Sequence, residues 1–319
     1  MNSPFDEFGP KKNAPKWPSV RNETAKKMVD SIYRVIGQMV AAKTKIFHSK
    51  NGPIEYLETP KRENQKTVVF LHGFADSKEG FFSALLHLHK YYHFIIPDLP
   101  GFGNSFKEED LLYNLDTYTE WLTELLDSKG VQDYHIVGNS LGGAIAISMA
   151  LWNKEKVKSL CAIDCAGIIL EDQNCFYDDY FLGKNLFAID TREQYEYLLT
   201  RIFHRKMLIP WPMKEKVYRQ FRENKFWYAK LLHQMTDGIK SFDDPRIKTK
   251  ALNEKISEIN TKMAVIWGRE DSLFPCETAE YIQKRVAGAK IWVMENTGHS
   301  PQIERPGAFS KVFRGFLGD

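Results

Sequence analysis

Cysteine is scarce in this chain: Cys161, Cys165, Cys175 and Cys276 are the full set among 319 residues. No two form a C-x-x-C pair, so neither a zinc site nor a disulfide framework is expected. Buried free thiols in a reducing compartment are expected instead. Charge of one sign is also missing, since 44 basic residues stand against 41 acidic ones, a net charge of +3. That field is too weak to argue for nucleic acid, and no basic cluster is interleaved with aromatics. No uncharged apolar run approaches the roughly 18 residues of a membrane span. The opening stretch MNSPFDEFGPKKNAPKWPS carries acidic residues before its first lysine and no apolar core. A secretory signal is therefore not expected, and a cytoplasmic location is. Internal repeats and low-complexity segments are absent.

What is present is the composition of a soluble globular protein, 43 % hydrophobic and 27 % charged. The length allows one large domain or two small ones. Residues 1–22, with four prolines, read as an extended arm. Residues 23–45 read as an amphipathic helix, because Met28, Ile32, Val35, Ile36, Met39 and Val40 recur at helical spacing between Thr24 and Lys43. Three uses of that face stand open: packing on the protein's own body, peripheral contact with a membrane through residues 24–43, or lining a substrate entrance.

KIFHSKNGPIEYLET reads as two strands joined at Asn51-Gly52-Pro53. Continuous apolar strands then follow at 67–73, 93–101, 133–140, 157–167, 262–271 and 289–299. Helical patterns near 77–91, 114–128, 140–153, 276–286 and 306–317 separate or follow them. Such alternation predicts an α/β fold, a mostly parallel sheet flanked by helices on both faces. Ligands of such sheets gather beyond the carboxyl ends of the strands. From residue 171 to 252 no strand is apparent, and 14 of the chain's 42 aromatics fall between Phe176 and Tyr228. The expectation is a helical cap over residues 171–252, inserted after the sixth strand into a core of residues 46–170 and 253–319.

The chemistry starts at HIVGNSLGG, where an apolar strand runs into a small-residue helix. A serine hydroxyl needs a base to become a nucleophile. Gly-x-Ser-x-Gly suits that purpose because flanking glycines let strand and helix approach while the serine points outward. Ser140 is thus the candidate nucleophile; the bland reading is a glycine-rich turn. Of nine histidines, His299 follows a late strand in a loop of small residues, ENTGHSP, and is the candidate base. His87 and His89 lie in a helical stretch and His135 lies within a strand. Asp271, just past a strand in WGREDSLFP, is the candidate orienting acid, with Asp164 as rival and Glu270 as a weaker third. Asp98 is expected to brace a loop by accepting backbone N–H groups. An oxyanion needs preorganised donors, and the backbone N–H groups of Leu141 and Phe74 are the candidates. His72 is expected to order the loop that carries Phe74.

LHGF, DLPGFGNS, GNSLGG, WGRED and NTGHSPQIERP, in this order, resemble the α/β-hydrolase superfamily over roughly residues 50–319. Within it the chain resembles the capped lipase and monoacylglycerol lipase branch. The resemblance implies ester hydrolysis through an acyl-enzyme, with Ser140, Asp271 and His299 in the triad positions. The aromatics of residues 171–252, with Met207, Ile209 and Met213, suggest an apolar acyl or aryl pocket, and a cap favours small esters or monoacylglycerols as substrates. No cofactor or metal is implied. Superfamily members that are epoxide hydrolases or haloalkane dehalogenases use an aspartate where Ser140 stands. The carbon–carbon hydrolases of ring-fission products resemble GNSLGG, but they carry a glycine- and serine-rich oxyanion loop and a tryptophan after the catalytic histidine. Here HGFADS and Ser300 occupy those places. A non-catalytic ligand-binding scaffold is the third reading, since fold alone does not decide function.

Overall fold

The computed structural model describes residues 22–170 and 175–318. Nearly all of the proline-rich arm expected at 1–22, and the start of the segment expected at 171, lie outside the described residues. The strands are β1 (Lys43–Ser49), β2 (Gly52–Glu58), β3 (Thr67–Leu71), β4 (His93–Pro97), β5 (Tyr134–Asn139), β6 (Val157–Ile163), β7 (Lys262–Gly268) and β8 (Lys290–Met294). They form one sheet in the order β1-β2-β4-β3-β5-β6-β7-β8. The β1–β2 and β2–β4 pairs are antiparallel and the remaining pairs parallel. This is the mostly parallel sheet that the alternating pattern predicted.

The α-helices are α1 (Asn22–Met39), α2 (Phe82–Leu88), α3 (Leu115–Ser128), α4 (Leu141–Trp152), α5 (Phe176–Phe181), α6 (Arg192–Ile202), α7 (Trp211–Glu223), α8 (Lys225–Met235), α9 (Ile247–Lys250), α10 (Glu277–Arg285), α11 (Pro301–Glu304) and α12 (Pro306–Leu317). Alternate strand residues supply two cores. Ile136 of β5 joins a core built with Trp121 and Leu122 of α3, Ile145 of α4 and Ile282 of α10. Its neighbour Val137 joins Leu85 of α2 and Phe309 and Phe313 of α12 on the other face. Helix ends follow local chemistry. The Asn114 side chain accepts the Thr117 N–H at 3.0 Å and the Thr117 hydroxyl accepts the Asn114 N–H at 3.0 Å, a capping box that starts α3.

Two sequence expectations shift. The first turn comes one residue earlier than Asn51-Gly52-Pro53: Ser49 pairs with Gly52, leaving Lys50 and Asn51 as the loop. The Ser49 hydroxyl accepts the N–H groups of Asn51 and Gly52, both at 3.2 Å, which closes that turn. The N-terminal helix ends at Met39 rather than Lys43, because Ala41 takes a left-handed φ of 54° and Lys43 opens β1.

The helix also uses a different face from the one its pattern suggested. Ala25, Val29 and Val40 are buried, with Tyr33 and Ile36 half-buried beside them. This stripe packs against α7 and α2, with the Tyr33 and Phe82 rings 5.4 Å apart and Lys216 pairing with Asp30 at 3.1 Å. Met28, Ile32, Val35 and Met39 form a second apolar stripe that stays exposed, 37–64 % open to solvent. Sequence periodicity merged the two, because Ala25 and Tyr33 do not read as strongly apolar.

Between β6 and β7 lie α5 to α9, with no strand among the described residues there. The aromatics of this segment join the main core: Phe187, Phe221 and Tyr228 pack around Phe74 and Phe102, with ring centroids 4.7–6.4 Å apart. Cys161, Cys165 and Cys175 are buried free thiols, while Cys276 is half-buried.

Candidate active site

Strand β5 ends at Asn139 and α4 begins at Leu141, so one residue, Ser140, makes the whole turn. Its backbone is strained, at φ 55° and ψ −119°. A Cβ on Gly138 would come within 2.0 Å of the Gly142 carbonyl oxygen, and one on Gly142 within 2.1 Å of the Leu71 carbonyl oxygen. Both glycines are therefore required by close backbone approach, which lifts Ser140 out at the carboxyl edge of the sheet. The loop after β3 passes beside it, where a Cβ on Gly73 would lie 3.4 Å from the Ser140 Cβ. Phe74 and Leu141 line the same cavity as Ser140.

Asp271 lies in the loop after β7 and His299 in the loop after β8, and the two are joined. The His299 Nδ1–H donates to Asp271 Oδ2 at 2.8 Å, with both groups buried. Asp271 Oδ1 accepts the N–H groups of Leu273 at 2.7 Å and Phe274 at 3.1 Å, which fixes the orientation of the carboxylate. The rivals have other partners. Glu270 accepts the Thr297 N–H at 2.8 Å, and Asp164 accepts the Gly268 N–H at 2.8 Å. Among the described residues no hydrogen bond joins the Ser140 hydroxyl to His299. In ligand-free sites this contact is often long and tightens when substrate binds.

Three residues that sequence reasoning passed over hold these loops together. Asn139 Nδ2 donates to the His299 carbonyl at 3.0 Å, fastening the histidine loop to the serine turn. Arg201 of α6 donates from Nε and Nη2 to the Ser272 carbonyl at 3.1 and 2.6 Å. The same helix end accepts the His299 N–H on the Ile202 carbonyl at 2.8 Å. Glu304 accepts the Gly298 N–H at 2.7 Å and the Arg205 N–H at 3.1 Å. Asn139 and His299 are 160 positions apart, so no local pattern could have signalled their contact.

Behind the Phe74 loop, His72 is fully buried. Its Nδ1–H donates to the Gly73 carbonyl at 2.8 Å and its Nε2 accepts the Leu99 N–H at 2.9 Å. It thus ties two loops together, as expected. Asp98 likewise accepts the N–H groups of Lys78 at 2.8 Å and Asn104 at 2.9 Å. Burial pushes the His72 imidazole from 6.5 down to about 4. A depressed folded pKa means that its contribution is complete above pH about 6.5 and is lost as pH falls through about 4. Urea midpoints compared across that window should fall less steeply for His72→Gln, which keeps an acceptor without titrating, by roughly 2–3 kcal/mol at the acid end. Parallel slopes for the two proteins would remove His72 from the acid response.

The cavity in front of Ser140 has a volume of about 120 Å³ and an almost wholly apolar wall. Phe176, Tyr177, Phe181 and Phe187 close it from the segment between β6 and β7, with Met235 and Ile239 beyond them. The sequence had suggested Met207, Ile209 and Met213 for this role. They do not line it, because they sit in and just before the start of α7 rather than on α5 or α8.

The profile of the alpha/beta hydrolase fold family matches residues 66–306. Lipase 3 of Moraxella sp. (strain TA144) is 30 % identical over 239 residues, covering 74 % of this chain and 72 % of that protein. A monoacylglycerol lipase of Xenopus laevis is 24 % identical, covering 82 % of this chain and 78 % of its own. Among solved structures, a membrane phospholipase A described as a bacterial virulence factor superposes with a TM-score of 0.85 at 25 % identity, covering 92 % of both chains.

Proposed function

Because this chain belongs to the α/β-hydrolase-fold family, we propose that it is a serine hydrolase of carboxylic esters with an apolar acyl group, a lipase or esterase working through an acyl-enzyme on Ser140. In this mechanism His299 Nε2 takes the Ser140 proton as Oγ attacks the ester carbonyl. Asp271 fixes the imidazole tautomer through Nδ1 and stabilises the imidazolium. The backbone N–H groups of Leu141 and Phe74 receive the oxyanion, a contribution of about 3–4 kcal/mol per donor in comparable sites. Collapse expels the alcohol, which takes the proton from His299, and water then repeats the sequence to release the acid.

The observation that carries the reading is the 2.8 Å His299–Asp271 bond beside a serine held in a strained turn at an apolar cavity. The lipase relatives support the ester as substrate class. The apolar wall of the cavity favours an apolar acyl chain, so p-nitrophenyl butyrate should turn over faster than the acetate. The decisive panel adds monoacylglycerols and a ring-fission dienone. Rapid dienone cleavage without ester turnover would overturn the assignment in favour of carbon–carbon hydrolysis.

A second reading concerns location. No helix among the described residues is long and apolar enough to cross a membrane. The exposed stripe of Met28, Ile32, Val35 and Met39 on α1, flanked by exposed Lys26, Lys27 and Arg34, supports peripheral docking on an anionic bilayer surface. Changing all four stripe residues to serine should reduce flotation with phosphatidylcholine–phosphatidylglycerol vesicles about tenfold or more while soluble-ester turnover stays unchanged. Equal flotation of the two proteins would dismiss the docking role.

A further inference from the structure

Asp164 sits directly behind the acid–base pair. It follows β6 in a left-handed conformation, φ 40°, and is fully buried. Its N–H donates to the Ile266 carbonyl at 3.1 Å and its Oδ1 accepts the Gly268 N–H at 2.8 Å, so it is fastened to β7 at both ends. Its second oxygen, Oδ2, is buried and receives no donor from the described residues. One carboxyl oxygen each of Asp164 and Asp271 and one ring nitrogen of His299 lie within 4.8 Å of one another.

Two buried carboxylates at that separation do not both ionise at neutral pH. The donor sets decide which one keeps the proton. Asp271 receives two backbone N–H groups on Oδ1 and the imidazole N–H on Oδ2, so both of its oxygens already act as acceptors. Asp164 receives a single N–H, and one of its oxygens faces no donor. Beyond Asp271 and the His299 imidazole, the titratable groups around it are the carboxyl of Glu304 and the thiols of Cys165 and Cys276, none of which brings positive charge. Lysine and arginine are absent from its hydrogen-bond and ion-pair partners among the described residues.

We propose that Asp164 is a neutral carboxylic acid that donates its O–H to the Asp271 carboxylate, a positioning residue that holds the orienting acid in place for His299. The bare Oδ2 then has its partner, and the buried pair carries one negative charge rather than two. Burial first, and the charge of Asp271 second, hold the Asp164 carboxyl well above the usual carboxylate range, in keeping with that state. The inference rests on Asp271 and His299 being the orienting acid and base of the proposed hydrolase. Its spectroscopic test does not need catalysis.

Asp164→Asn supplies a neutral donor of the same shape. The pH profile of kcat/KM for p-nitrophenyl butyrate should keep its acid limb within about 0.3 pH unit, with activity within roughly threefold of the parent. An acid limb that drops by about a unit or more would overturn the proposal, since it would mean that a second anion had been stabilising the imidazolium. Asp164→Ala removes the donor altogether. It should lower kcat roughly tenfold or more with little change in KM and move the acid limb upward; a profile identical to the parent's would count against the role. Infrared difference spectra of the parent against Asp164→Asn at neutral pH should show the C=O stretch of one protonated carboxyl. Absence of that band would overturn the proposal whatever the enzyme hydrolyses, and its presence beside failed ester assays would leave Asp164 protonated while the ester reading fell.

Discussion

Ser140→Ala should lower kcat/KM for p-nitrophenyl butyrate by about 10⁴- to 10⁶-fold and abolish labelling by a fluorophosphonate probe. The size follows from the chemistry, because among the described residues lining the cavity the other hydroxyls are already engaged: Tyr118 donates to the Pro100 carbonyl, Tyr177 accepts the Gly167 N–H and Thr236 donates to the Leu232 carbonyl. His299→Ala should cost nearly as much, and the double variant little more, since the two act as one unit. Folding should be spared, as alanine fits wherever serine does. A separate variant isolates the strain of the turn. Ser140 is held at φ 55°, and Ser140→Gly, equally inactive, should melt a few degrees higher, because glycine relieves about 1–3 kcal/mol of backbone strain. An alanine variant with near-parental activity would require another nucleophile, and retained labelling would place the probe elsewhere.

The largest expected loss of stability is at Lys78, whose side chain is 3 % exposed. Its Nζ pairs with Asp98 at 2.8 Å, Glu55 at 2.8 Å and Glu79 at 3.2 Å. Against the cost of its burial, the charge of Asp98 and then that of Glu79 raise its pKa above the ordinary lysine value. Lys78→Ala would strand three carboxylates around an empty site, with Asp98 fully buried. Removing one partner of a buried ion cluster costs about 3–5 kcal/mol, so Tm should fall by roughly 5–15 °C. Lys78 directly follows the loop that carries Phe74, and activity should fade at temperatures well below those the parent tolerates. Urea denaturation that loses less than about 1 kcal/mol would show the cluster to be incidental.

Much of the site was legible in the linear sequence, because its pieces are local. Gly138 and Gly142 announce a backbone contact made within five residues, and apolar runs announce strands buried on both faces. Asp271 and His299 follow strands that could be read from composition alone. Even the choice of Asp271 over Asp164 followed from its place in a turn-rich loop; in the structure Asp271 is hydrogen-bonded to His299 at 2.8 Å. The N-terminal helix was visible but its working face was not. Which stripe is buried depends on α7, about 180 residues further along the chain.

What the sequence alone determined is therefore the order of strands and helices, the turn that presents Ser140, and the candidate acid and base. Each of these arises from steric and hydrophobic rules acting over a few neighbouring residues. Tertiary structure alone decided that Asn139 and Arg201 anchor the loops of His299 and Asp271, that the aromatics of α5 and not Met207 or Met213 wall the cavity, and that Asp164 lies close to Asp271 with one carboxyl oxygen facing no donor among the described residues. Those relations join residues from about 70 to 160 positions apart or rest on how the helices pack. Their energies come from burial and charge proximity, which exist only once distant segments have displaced water from between them.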